Sequence, residues 1–346
     1  MIALSVNIRF RNRYVRLAVF VYYTLLICLR WQVGIDFQTY VEWIEWYGYL
    51  DFSLFNEPLS IGLIKLSGVT GFPRLFFIVG GLSFMGAVFF LVRGTEDRYK
   101  DLTFLVLMAA SLFPVFIVVR QYLAACCSVF ALHFLLKRKY LLFVALSLIA
   151  FLFHLSSLVL LTMPLLLILL KRSHRLLFLL IPPILSIALP LSLPLLERML
   201  IRIPFLGTYS YLLSEPQNAA MITLNPITVG LTIAVSLGVY FSINTIRNDL
   251  TEYELNSWLI GVMGIIMLVI TSNIHAGRIA ILFITFGIPV FVKSLYRKNV
   301  LAILVLCSAC VFGTLLTYPW SCVPYNTRTD VPWNSHFALR HKLDHL

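Results

Sequence analysis

The chain is built from repeated apolar runs of about 17–22 residues, each long enough to cross a hydrocarbon core of about 30 Å as a helix. Within a bilayer the backbone polar groups must be satisfied inside the segment, and a helix does this alone. Candidate spans fall at roughly 14–30, 73–92, 102–119, 121–136, 140–153, 155–170, 176–196, 224–246, 256–272, 278–295 and 300–318. The apolar stretch from 140 to 170 is too long for one span, so His154 near its middle marks a turn. Charged residues make up only 12% of the 346, and 60% are hydrophobic; soluble domains carry about 25% charged residues. A soluble core of this size would lack its polar shell. The expected fold is therefore all-α and integral to the membrane, a polytopic bundle of about eleven transmembrane helices forming a single domain over 1–346.

A net charge of +12 raises the question of nucleic acid, but the basic residues form no single patch, and no nucleic-acid partner is expected. They sit in short clusters between apolar runs, as membrane orientation requires. The clusters Arg9 to Arg16, Arg93 to Lys100, Lys137 to Lys139, Lys171 to Arg175, Arg247 and Lys293 to Lys298 hold 17 of the 27 Lys and Arg. All fall on one side if the N-terminus is cytoplasmic. The arginines from Arg9 to Arg16 followed by apolar residues resemble a signal sequence, but no small-residue cleavage site follows, and an uncleaved first helix is expected.

The other side carries the long connections: loops at about 31–72 and 197–223, and a tail at about 319–346. Long loops in compact proteins tend to carry function, which places the working face outside, in the periplasm or beyond the cell. Glu57 to Phe72 reads as an amphipathic helix lying in the interface, with Leu59, Leu63, Ile64 and Leu66 on one side. Cys307 and Cys310 form a C-x-x-C, but within an apolar run and without a βαβ context, where free cysteine behaves as a small hydrophobe.

Arg120 has apolar helix on both sides. An arginine at a helix centre in the bilayer costs at least about 2.5–3.5 kcal/mol, and less near an interface. It calls for an anionic partner; a guanidinium binds phosphate bidentately, and the alternative is an arginine that snorkels to the surface. Gln121 follows it. Arg278, close after His275 and Gly277, opens another apolar run at the same outer side, so two arginines could clamp one pyrophosphate, or each could anchor a helix end. His154 titrates near neutrality and could be a base, a phosphate ligand or a hydrogen-bonded turn residue. Asp36 and Tyr40 open the first outer loop, and Glu57 closes its first half. Carboxylates beside an apolar surface suit general-base work, although Glu42, Glu45 and Asp51 nearby could make the whole group a solvated face. No P-loop, H-E-x-x-H, G-x-S-x-G or Cys/His metal spacing occurs, so neither metal nor cofactor is expected.

The order G-I-D-F-Q-T-Y, N-E-P-L, V-R-Q-Y-L-A, L-F-H-L-S-S-L and G-R-I-A resembles the EpsG/Wzy group of bacterial polysaccharide polymerases over roughly residues 30–290. The resemblance implies a GT-C-like, metal-independent membrane glycosyltransferase in the bacterial inner membrane, making an O-antigen, capsule or exopolysaccharide. It would move a growing glycan from undecaprenyl diphosphate onto another lipid-linked repeat unit. It also implies a chain-length regulator and a flippase as partners. Carried over, Arg120 and Arg278 become diphosphate ligands, Asp36, Glu57 and His154 catalytic candidates, and Tyr40, Gln121 and His275 secondary contacts. The alternatives are a lipid-linked oligosaccharide flippase or transporter and a membrane glycan acyltransferase. A path of polar residues through the bilayer would favour transport; here the polar residues gather on one face.

Overall fold

The computed structural model describes residues 12–30, 37–49, 57–117, 119–173, 250–271 and 274–296, with the single positions 184 and 233. The expected spans at 176–196, 224–246 and 300–318, the loop 197–223 and the tail 319–346 lie outside them. Among the described residues the structure is helical, without strands: α1 Arg13–Cys28, α2 Phe37–Glu45, α3 Pro58–Val69, α4 Arg74–Arg93, α5 Asp97–Ile117, α6 Val119–Leu136, α7 Tyr140–Phe153, a 3-10 segment Leu155–Thr162, α8 Met163–Ser173, α9 Glu252–Thr271 and α10 Ile274–Tyr296. Of these, α4 and α6 are each long and apolar enough to cross a bilayer unaided.

The α6–α7 hairpin sets the frame for the site. Arg138 adopts the left-handed conformation at φ 58°, and the Lys139 N–H donates back to the Phe134 carbonyl at 2.8 Å, a common way to stop a helix. The chain then reverses, so Arg120 at the start of α6 and His154 just after α7 arrive at the same end of the bundle. Small residues bring the helices close. A side chain at Gly80 would strike Val119, and one at Gly81 would strike Cys28, so α4 packs tightly on α6 and α1. In the α9–α10 hairpin, a Cβ on Gly261 would come within 2.8 Å of the Gly287 Cα, and one on Gly264 within 2.9 Å of the Ala280 carbonyl. Close backbone approach of this kind is how apolar helices gain packing energy where water supplies none.

At the end away from His154, ion pairs tie helix starts and stops together. Lys293, near the end of α10, meets Glu254 at 2.6 Å and Glu96 at 3.2 Å. Arg16 of α1 meets Asp101 of α5 at 2.6 Å. Burial alone would push the Glu254 carboxyl up, but hydrogen bonds from Lys293 and Thr251 outweigh it and hold the group below its ordinary 4.5. Glu96 is likewise held low by Lys293 and Arg98, against the opposing effect of desolvation.

Two expectations change. The span expected at 155–170 is not one helix: the 3-10 segment runs to Thr162, and α8 begins only at Met163. Pro164 in the first turn of α8 has no N–H to extend the preceding helix. Within Glu57 to Phe72 the stretch Pro58–Val69 is helical as expected, but its buried side is Ser60, Ile64 and Ser67, while Leu59 and Leu66 are exposed. Serines allow close contact with neighbouring helices, and the leucines turn outward, the reverse of the pattern in water.

Candidate active site

Glu57 precedes α3, and Pro58 takes the first helical position, where its fixed φ and missing N–H are no handicap. The Glu57 side chain makes no capping bond to its own helix. It reaches instead to α6, where Oε2 accepts from Arg120 Nη1 at 2.5 Å. The other carboxylate oxygen, Oε1, lies 3.8 Å from His154 Nδ1. The Glu57 side chain is 4% exposed, against 21% for Arg120 and 17% for His154. One buried carboxylate thus stands between a guanidinium and an imidazole that both keep an open side.

α3 is held there by Ser60, whose hydroxyl donates to the Phe153 carbonyl at 2.7 Å. That carbonyl belongs to the last turn of α7, which has no intrahelical donor left for it. The same bond therefore satisfies α7 and sets Glu57 beside His154. α2 closes another side. Tyr40 Oη lies 3.4 Å from Arg120 Nε, and the Arg120 Cζ sits 5.2 Å from the centre of the Trp43 ring. Tyr40 is itself packed on Phe76 and Phe77 of α4, which fixes the aromatic wall. A charge taken from water needs both a counter-ion and further hydrogen bonds; Arg120 has Glu57, Tyr40 and the Trp43 face.

The structure thus brings Tyr40, Glu57, Arg120 and His154 into one group, although they span more than a hundred positions of the chain. Gln121 makes no hydrogen bond to this group: it is buried, with neither end of its amide partnered among the described residues. Asp36 lies outside the described residues. The backbone of His275 and Arg278 opens α10, and α10 finishes at the Glu96 end. Its 23 residues at about 1.5 Å rise each put its start near the Glu57 end; the side chains of both residues lie outside the described set.

Three further residues contribute to this group or its support. Trp43, three residues after Tyr40 on α2, sets its ring against Arg120. Ser156 contacts the His154 ring, which the local H-x-S spacing allows. Arg30 is 7% exposed; its Nη1 donates to the Val115 carbonyl at 2.7 Å, and its Cζ lies 5.3 Å from the Phe77 ring centre.

The model of the EpsG family matches residues 13–327. The chain belongs to the EpsG family. Neither a curated protein nor a solved structure matches it. The match covers α1 through α10, including Tyr40, Glu57, Arg120 and His154. EpsG-family membership and the apolar helices together make this a membrane protein of polysaccharide biosynthesis.

Proposed function

We propose that this EpsG-family protein is a polysaccharide polymerase. It transfers a growing glycan from undecaprenyl diphosphate onto the end sugar of another lipid-linked repeat unit, at the outer face of the bacterial inner membrane. The observation that carries the reading is the buried Glu57 carboxylate shared between Arg120 and His154 at one end of an apolar bundle. The complete bundle has about eleven spans and a GT-C-like arrangement, with α2 and α3 in the first outer loop.

The chemistry needs little beyond these residues. The acceptor hydroxyl loses its proton to a base as its oxygen bonds to the anomeric carbon. The bond from that carbon to the diphosphate breaks, and its electron pair leaves on the lipid diphosphate. Diphosphate is a good leaving group, so the main need is cationic stabilisation of the charge it acquires. Arg120 supplies this without a metal, joined by Arg278 at the start of α10. A guanidinium has five N–H donors, so it can hold Glu57 and a phosphate oxygen together. Glu57, buried and close to His154, is the favoured base, with Asp36 the alternative. A single displacement inverts the anomeric centre. Tyr40 and Trp43 offer a face for a sugar ring, with Gln121 and His275 as secondary contacts. A flippase supplies the repeat units, and a chain-length regulator limits the product.

Purified protein in lipid nanodiscs, given lipid-linked repeat units, should yield a ladder of polymer. Translocation without a ladder would assign a flippase instead, and acyl transfer a glycan acyltransferase. Retained configuration in the product linkage, read by NMR, would remove the single displacement.

A further inference from the structure

His154 ends α7 and caps the 3-10 segment that follows, with an extended backbone at φ −157° and ψ 123°. The Ser156 N–H donates to His154 Nδ1 at 3.3 Å, and the Ser156 hydroxyl lies 2.9 Å from the same nitrogen. A backbone N–H can only donate, so Nδ1 must present a lone pair. In a neutral imidazole the one ring proton then resides on Nε2. Among the described residues, the charged groups near the ring act in opposite directions. Glu57 Oε1, 3.8 Å from Nδ1, favours an imidazolium. Arg120, bonded to the other oxygen of the same carboxylate, opposes it. So does Ser156 N–H, which would lose its acceptor if Nδ1 were protonated. From α2, Tyr40 stands beside Arg120.

We propose that His154 acts as a neutral hydrogen-bond donor through Nε2–H, and that Ser156 is the positioning residue that fixes this tautomer. The role rests on the polymerase reading: Nε2–H donates to an oxygen of the departing diphosphate, where charge accumulates as the anomeric bond breaks. Nδ1 is committed to the cap and Nε2 already carries the proton, so the ring cannot also accept the proton of the attacking hydroxyl. Of His154 and Glu57, Glu57 is left to accept it.

Two substitutions separate donor from cap. In His154→Asn the side-chain oxygen can take the place of Nδ1, since Asn is a good helix cap, but nothing replaces Nε2–H. In His154→Gln the amide nitrogen reaches the place of Nε2. We expect the Asn variant to keep its thermal unfolding midpoint and lose turnover by about 100-fold, the usual effect of removing one donor to a developing anion. The Gln variant should stay within about tenfold of wild type, with donor KM changed less than kcat in both. Equal activity in the two variants would reduce His154 to a structural cap.

Nitrogen-15 NMR of histidine-labelled protein, with the His154 signal identified by its loss in the Asn variant, should show an unprotonated Nδ1 and a protonated Nε2 at neutral pH. Ser156→Pro, which lacks the N–H, should release that preference. A protonated Nδ1 in the neutral wild-type ring would overturn the assignment. If wild type makes no polymer yet shows the expected signature, the polymerase reading and the donor role fall, and the tautomer stands.

Discussion

At one end of the bundle Lys293 is held between Glu254 and Glu96, with Arg98 also on Glu96 at 2.8 Å; at the other, Arg120 and His154 converge on the single carboxylate of Glu57. The first arrangement has two acids for its central cation, joins the α4–α5 turn to both helices of the α9–α10 hairpin, and places Glu96 at 45% exposed. The second gathers, among the described residues, Arg120 and His154 around an acid that water scarcely reaches. Charges at the Lys293 end complete one another and are partly solvated, as anchors should be. Around Glu57 the acid is buried beside an aromatic wall. Pairing by itself therefore says little about function; the depth of the acid separates the two ends.

The comparison can be broken most directly at Arg120. Arg120→Ala should reduce polymer formation by about 1,000-fold or more while the protein still inserts in the membrane; wild-type chain lengths on a polysaccharide gel would end the phosphate-clamp idea. Glu57→Gln keeps an acceptor for Arg120 but removes the base. We expect kcat to fall by about 100-fold with donor KM little changed, and a collapse of binding alone would reassign Glu57 to holding the site together. Trp43→Ala removes a cation–π partner worth about 0.5–1 kcal/mol, and should raise donor KM by about threefold.

At the opposite end the expected effects are on stability. Lys293→Met should lower unfolding stability in detergent by about 1 kcal/mol, since partly exposed pairs contribute little, and leave kcat within about twofold of wild type. A large kcat loss would show that the two ends are coupled. The smallest effect is acid loosening. Glu254 and Glu96 are held below the ordinary 4.5, so their contribution is complete above that value and is lost as pH falls through the depressed one. Unfolding midpoints measured from about pH 6 to about pH 3 should drop more steeply in wild type than in Lys293→Met. Parallel curves would show that Lys293 is not what holds these carboxyls low.

Much of the frame can be read along the chain. Tyr140–Phe153 is helical over the span expected for it, and α1, α4, α6, α9 and α10 begin and end within a few residues of theirs, because apolar runs and charged turns are local properties. His154 is a turn for the same reason. The α6–α7 hairpin even predicts that Arg120 and His154 share an end, since each lies about one helix length from Lys137–Lys139. The face of α3 was not legible. A leucine stripe points inward for a helix in water and outward for one in an apolar setting, and the stripe alone cannot distinguish them. The 3-10 segment was hidden in an apolar run whose hydropathy carries no record of how its backbone is wound.

The residues and their spacing by themselves determined that this chain suits a membrane, where most of its described helices stop, and which few charges stand next to apolar helix. Only the tertiary structure decided that Glu57, 63 positions from Arg120, is that arginine's counter-ion, and that Ser60 sets it beside His154. Hydropathy acts over one helix and can be summed along the sequence. A buried ion pair depends on a single carboxylate reaching a single guanidinium, and that distance exists only once α3, α6 and α7 have packed.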